Sequence, residues 1–214
     1  MALTLPFFFA YFPLGIAFGM LAVGIGLSPV ATTVMSLCVY GGAVQFLALS
    51  VLASGGGALE LAVTTFPVAF RNAFYGLSLF EQYRAPLLAR SYLIFGLVDS
   101  TYFIATRESG RTTKFYLVVT ALCHLYWVAG TAVGAAIGGH IPTIPGLSFI
   151  LPALFTAASV DALLEARSFS PLFIALCGAA IGWLIAPGQL LLVAIVLATA
   201  VIGFDVRRKG VANG

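Results

Sequence analysis

Apolar residues run along this chain in long continuous stretches, and the polar residues collect between them. The stretches cover about residues 5–25, 29–53, 58–80, 89–106, 113–138, 147–164, 171–186 and 188–206. Most are close to the ~20 residues an α-helix needs to cross a ~30 Å hydrocarbon core. Clusters of Gly, Ser and Pro separate them, among them Gly26-Leu27-Ser28-Pro29, Ser54-Gly55-Gly56-Gly57, Ser168-Phe169-Ser170-Pro171 and Pro187-Gly188. Such clusters mark turns. No stretch alternates apolar and polar residues as a membrane β-barrel strand must. The pattern predicts an all-α polytopic integral membrane protein with seven or eight transmembrane helices. The last two stretches count separately when Pro187-Gly188 forms a hairpin. Residues 1–206 read as a single transmembrane domain, and 207–214 as a short basic cytoplasmic tail. The first stretch opens without a charged leader, so it reads as a membrane helix rather than a removed signal peptide.

Composition agrees and excludes other classes. Of 214 residues only 10 are Lys or Arg and 7 are Asp or Glu, so 8% are charged, against 61% hydrophobic. A soluble domain carries about 25% charge. Ordinary soluble enzymes, disordered chains and nucleic-acid binders are therefore excluded. The net charge of +3 bears on orientation. With eight spans, one side carries Arg107, Arg111, Lys114, Arg167, Arg207, Arg208 and Lys209, and the other Arg84 and Arg90. Basic loops stay inside, which puts both termini in the cytoplasm. Cys38, Cys123 and Cys177 fall inside apolar stretches without metal-ligand spacing. There is no HExxH, GxSxG, GxxxxGK[ST] or CxxC motif. No metal, no cofactor and no enzymatic activity are expected.

Glycines recur at four-residue spacing in Gly15/Gly19, Gly130/Gly134/Gly138 and Gly178/Gly182. In lipid this spacing lets two helix backbones approach closely. The segment Pro13–Gly19 also echoes Val128–Gly134. A parallel repeat, an inverted repeat built on a broken helix and chance likeness of two Gly-rich helices all fit that echo.

The informative polar residues are those inside apolar stretches. Arg71 falls near the middle of the third and Asp99 near the middle of the fourth. A charge at the bilayer centre costs about 2.5–3.5 kcal/mol on insertion scales, so such residues pair or face a polar pathway. Adjacent antiparallel helices would bring these two to similar depth. Asn72 and Tyr75 extend the polar face around Arg71. His124, midway along the fifth stretch, is either a helix-to-helix hydrogen-bonder or a proton relay. Gly41 and Gly42 weaken the helix just before Gln45, which would bond freed backbone or a ligand. Pro67 and Pro152 interrupt their stretches, as kinks or as true helix breaks.

Seven motifs, in order, resemble the AzlC-type family, the larger subunit of branched-chain amino acid exporters. They are Pro13–Gly19, Gly26–Pro29, Tyr40–Phe46, Arg71–Ser78, Asp99–Tyr102, Trp127–Thr131 and Leu151–Phe155. The resemblance covers residues 5–165. It implies export of hydrophobic amino acids across a bacterial inner membrane and a small AzlD-type membrane partner. Ala69, Asn72, Ser100 and Ser148 depart from the family's usual polar residues, which bears on substrate more than on fold. The transporter reading puts Arg71 on the substrate carboxylate, and Asp99 on Arg71 in the empty site and on the substrate ammonium group in the loaded one. Gln45, Asn72 and Tyr75 complete the polar shell, Phe74 and Phe155 form the apolar pocket, and His124 gates protons. A non-transporting scaffold subunit, with Arg71 and Asp99 as a structural lock, and a channel for small zwitterions are the competing readings.

Overall fold

The computed structural model describes residues 2–140 and 169–185, together with the single positions 149, 156, 160, 163 and 197. Apart from those positions, the predicted sixth and eighth spans lie outside the described residues. So do the basic tail, Pro152, Phe155 and Ser148. Among the described residues every regular element is helical. A 3-10 turn at Ala2–Thr4 leads into α1 (Leu5–Gly24), α2 (Pro29–Cys38), α3 (Gly42–Ala53) and α4 (Ala58–Ser78). Then follow α5 (Leu87–Phe95), α6 (Asp99–Arg107), α7 (Thr113–Gly138) and α8 (Ser170–Ile185).

The turns form where the punctuation lies. Gly26 leaves α1 at φ +97°, a left-handed conformation that glycine adopts without penalty. Ser28 then caps α2, its Oγ accepting from Ala31 N–H at 3.1 Å, with Pro29 supplying the preset first turn. Gly55 and Gly110 make the corresponding turns before α4 and α7, at φ +74° and +81°.

α1 and α7 are long and apolar enough to cross a membrane, and α5–α6 makes a third span if the bent pair counts as one. The α1–α7 pair is the centre of the fold, and its glycines explain why. A Cβ on Gly15 would lie 2.7 Å from the Trp127 carbonyl oxygen, and one on Gly130 would lie 2.3 Å from that of Phe12. The same exchange recurs one turn on, with Gly19 against Thr131 and Gly134 against Ile16. Contact numbers rise together, so the two helices run parallel. Gly15 to Gly130 and Gly19 to Gly134 are the same 115-residue offset, and contacts swap between the helices at that offset. It is also the offset of the Pro13–Gly19 echo. The pair is thus locally two-fold related about an axis along the helices. An inverted repeat would run these two helices in opposite directions.

Two predicted spans are broken. The second leaves helix at Val39–Gly41, between α2 and α3. The fourth breaks at Gly96–Val98, where α5 and α6 meet at a bend of 118°. Asp99 accordingly stands at the first turn of a helix, directly after the break in its predicted span. Thr101 makes the bend tolerable in a dry environment. Its hydroxyl accepts from Val98 N–H at 2.9 Å and donates to Gly96 C=O at 2.8 Å, serving two backbone groups the break would orphan. A side chain at Gly96 is excluded, because a Cβ there would meet Thr120 Cγ2 on α7 at 2.1 Å. Thr101→Val should therefore leave one buried donor and one buried acceptor unmet, at about 1–3 kcal/mol each. Thr101→Ser should keep most of the stability. Thermal unfolding in detergent reads this, and equal midpoints for the two variants would refute it.

The expected break at Pro67 is not there. α4 runs through it from Ala58 to Ser78. A proline deletes one backbone donor from the ladder, and the rungs on either side carry the helix across.

Candidate functional site

Both breaks come together against the middle of α7. Tyr40, in the first break, stacks over the His124 ring with centroids 4.6 Å apart. Phe95, at the end of α5, lies 5.6 Å from the same ring and 6.5 Å from that of Tyr40. Tyr92 reaches His124 Nδ1 at 3.4 Å. The residues that hold the first break open are buried and fully engaged with one another. Trp127 Nε1–H donates to Gln45 Oε1 at 2.7 Å, Gln45 Nε2 donates to Ser36 Oγ at 2.9 Å, and Ser36 shares a hydrogen with Thr131 at 2.9 Å. Gln45 thus ties α2, α3 and α7 together, and both ends of its amide are used within the protein.

The second break carries the acidic group. Tyr75 of α4 donates to Asp99 Oδ1 at 2.9 Å, and its ring stacks on Tyr102 at 4.3 Å and 14°. Asp99 itself is exposed. Beside it, the buried Ser100 accepts from the Tyr11 hydroxyl of α1 at 2.7 Å. Arg71 lies on α4 one turn before Tyr75, in register with it. The Arg71 side chain lies outside the described residues. Among the described residues, the buried side-chain atoms Tyr40 Oη, Asn72 Oδ1 and His124 Nε2 make no hydrogen bond of normal geometry.

The structure therefore brings Asp99 and Tyr75 into contact, and sets Asn72 one turn before Tyr75 on α4. Gln45 and His124 meet a second cluster, around Trp127 and Tyr40. Phe74 is exposed among the described residues and joins Phe66 and Phe70 in a stripe of touching rings along α4. An α-helix returns every 3.6 residues, so Phe74 falls about a quarter-turn from Tyr75 and joins the apolar face. Sequence reasoning missed Tyr11, Tyr40, Tyr92, Ser100 and Thr101. Tyr40 and Ser100 lie inside matched motifs, but nothing in the sequence says that their helices break there. No group of three or more His, Cys, Asp or Glu suited to a metal occurs among the described residues.

Long apolar helices packed glycine to glycine, with two interrupted helices turned toward their centre, define a helical integral membrane protein. The chain belongs to the AzlC family, whose profile (AzlC protein) matches residues 6–141. It is 32% identical over 163 residues to the branched-chain amino acid transport protein AzlC of Bacillus subtilis, covering 74% of this chain and 64% of that one. It is 32% identical over 168 residues to the inner membrane protein YgaZ of Escherichia coli, with 71% and 67% covered. A Helicobacter pylori membrane protein is 29% identical over 157 residues, with 71% and 69% covered. The chain thus spans about two thirds of the length of these relatives. No solved structure matches it.

Proposed function

We propose that this chain is the larger membrane subunit of a secondary exporter. It moves small hydrophobic, branched-chain-like amino acids out of the cytoplasm together with a small AzlD-type membrane partner. Its place is the bacterial inner membrane, with both termini cytoplasmic and eight spans. The observation that carries the reading is the meeting of two helix breaks at the middle of α7, with Asp99 opening the helix after one of them. Interrupted helices present backbone ends and polar side chains at membrane depth, where a charged substrate needs partners. The parallel course of α1 and α7 supports the span count. It requires an odd number of crossings between them, as one each by α2–α3, α4 and α5–α6 would be.

In this reading Arg71 holds the substrate carboxylate, and Asp99, exposed and steadied by Tyr75, holds the ammonium group. Asn72 offers a buried unpaired carbonyl oxygen to the same substrate. Phe155 lines the apolar side. Gln45 positions the break rather than touching substrate, and His124 is the proton-handling group. With no nucleotide-binding motif in the sequence, an ion gradient or the substrate's own gradient drives transport. Arg71→Ala should abolish efflux of leucine, isoleucine and valine from loaded vesicles while the protein inserts at normal levels. Full efflux by that variant would overturn the assignment.

A further inference from the structure

We propose that the α4–α5 loop and the α6–α7 turn form one cationic face, on the side of the membrane where α1 and α7 begin, and that this face seats an anionic phospholipid headgroup. The sequence count puts Arg84 and Arg90 opposite Arg107, Arg111 and Lys114. The structure brings their loops together. Gln82, just before α5, donates to Ala105 C=O near the end of α6 at 2.8 Å and to Tyr116 Oη at the start of α7 at 2.5 Å. The Tyr83 ring lies 5.6 Å from that of Tyr116. Tyr116 Oη in turn donates to Glu108 C=O and accepts from Arg111 N–H. A hydrocarbon core is ~30 Å thick, so groups at hydrogen-bond distance cannot stand at its two faces. The 118° bend at Gly96–Val98, past a right angle, turns α6 back toward the face that α5 left. α5–α6 therefore enters and returns instead of crossing. One crossing also meets the odd number that parallel α1 and α7 require. The 21 residues of α4 supply it, reaching about 30 Å, and α2–α3 then returns on the opposite side. Replacing two crossings by two returns leaves the shared side of the termini unchanged.

Arg84, Arg90, Arg107, Arg111 and Lys114 thus share one face, with Glu81 and Glu108 among them. Among the described residues the loops at the other face carry no Lys or Arg. Basic loops stay inside, so the charged face is the cytoplasmic one. Arg84 pairs with Glu81 and Arg111 with Glu108, while Arg90, Arg107 and Lys114 make no ion pair among the described residues. Three guanidinium groups lie on phenylalanine rings: Arg90 over Phe80 at 4.5 Å, Arg107 over Phe103 at 4.5 Å and Arg111 over Phe115 at 5.5 Å. A ring occupies only the face of a guanidinium and leaves free the N–H edge that grips a phosphate. Beside these groups Phe80, Leu87, Leu88 and Phe103 are exposed. A free phosphate gains nothing from apolar side chains. A phospholipid lays its acyl chains along them and its phosphate on the arginines, which makes a lipid the occupant. The proposal rests on the membrane setting given above and not on the transported substrate.

The purified protein in mixed micelles of detergent and phosphatidylcholine is titrated with phosphatidylglycerol, and thermal unfolding is followed at each step. The midpoint should rise and saturate with phosphatidylglycerol and stay level with further phosphatidylcholine. The triple variant Arg90→Gln, Arg107→Gln, Lys114→Gln should need about tenfold more phosphatidylglycerol. Lys114→Gln alone, at an exposed and unpaired position, should fold as the parent does and shift the titration in the same direction by less. An equal rise with inorganic phosphate would make the ligand a free anion and overturn the lipid assignment. No rise, or titrations unchanged in both variants, would remove the site. Sidedness is read separately. Arg84→Cys and Lys114→Cys are treated with a membrane-impermeant maleimide in right-side-out and in inverted vesicles. The parent, whose three cysteines lie in apolar stretches, is the blank. Both variants should react in inverted vesicles only, and reaction from opposite sides would overturn the shared face. No amino acid is transported in either measurement, so the outcome is independent of whether the chain exports one.

Discussion

Gly134→Leu should prevent α1 and α7 from assembling, and even Gly134→Ala should cost stability at the upper end of the roughly 1–3 kcal/mol typical of overpacking, or more. The added Cβ would stand 2.0 Å from the Ile16 carbonyl oxygen and 2.7 Å from its carbon. These are backbone atoms, so no rotamer change relieves the clash. The helices must part by more than an ångström to restore ordinary contact. In lipid nothing replaces the lost packing, because acyl chains are as apolar as the helix faces and close contact is the main attraction between them. Gly19→Ala should behave alike, for the two-fold exchange puts its Cβ 2.3 Å from the Thr131 carbonyl oxygen. Gly24→Ala is the control, since a Cβ there meets nothing within 4 Å. Thermal unfolding followed by size-exclusion chromatography in detergent distinguishes them. If Gly134→Ala melts with the parent protein, α1 and α7 are not packed as described.

Asp99→Asn should reduce export by roughly tenfold to a hundredfold while leaving the fold intact. The amide oxygen can still accept from Tyr75, whose hydroxyl lies 2.9 Å from Oδ1, so the local structure survives. What is lost is the charge. A charged hydrogen bond to a substrate ammonium is worth about 1.5–3 kcal/mol, which is roughly tenfold to a hundredfold in affinity. The double exchange Arg71→Asp with Asp99→Arg separates a substrate site from a structural lock. A lock requires only opposite charges, so the exchange would restore both assembly and export. A substrate site puts the cation at a helix start, where Asp99 suits the positive dipole end and an arginine does not, and faces the zwitterion with reversed polarity. Assembly without export is therefore expected. Recovery of both would remove Asp99 from the substrate site.

Several parts of this protein were legible residue by residue. The Gly15/Gly19 and Gly130/Gly134/Gly138 spacing pointed to close helix packing because only glycine lets backbones touch, and that chemistry is local. Ser28 and Pro29 announced the start of α2 for the same reason. The breaks were only half legible. Gly41 and Gly42 suggested one, but the second rests on Thr101, a residue that in most helices does nothing of the kind. Asp99 therefore looked like a charge inside a continuous helix and is instead an exposed residue opening α6. Gln45 looked like a ligand group because an amide in an apolar stretch needs partners. Those partners, Trp127 and Ser36, lie 82 and 9 residues away, and only packing shows that they saturate it.

What the sequence determined by itself is the solvent and the class: a chain with 8% charge must put its surface in lipid, and its motifs place it among AzlC proteins. It also determined that α1 and α7 can meet, because the missing Cβ atoms are written in the residues. Only the tertiary structure decided that they meet in parallel with exchanged contacts, and that two interrupted helices converge on His124. The reason is physical. Apolarity and small size are properties of single residues, whereas an unmet hydrogen bond is a property of an arrangement. Gln45 reads as saturated only when Trp127 and Ser36 are in place around it.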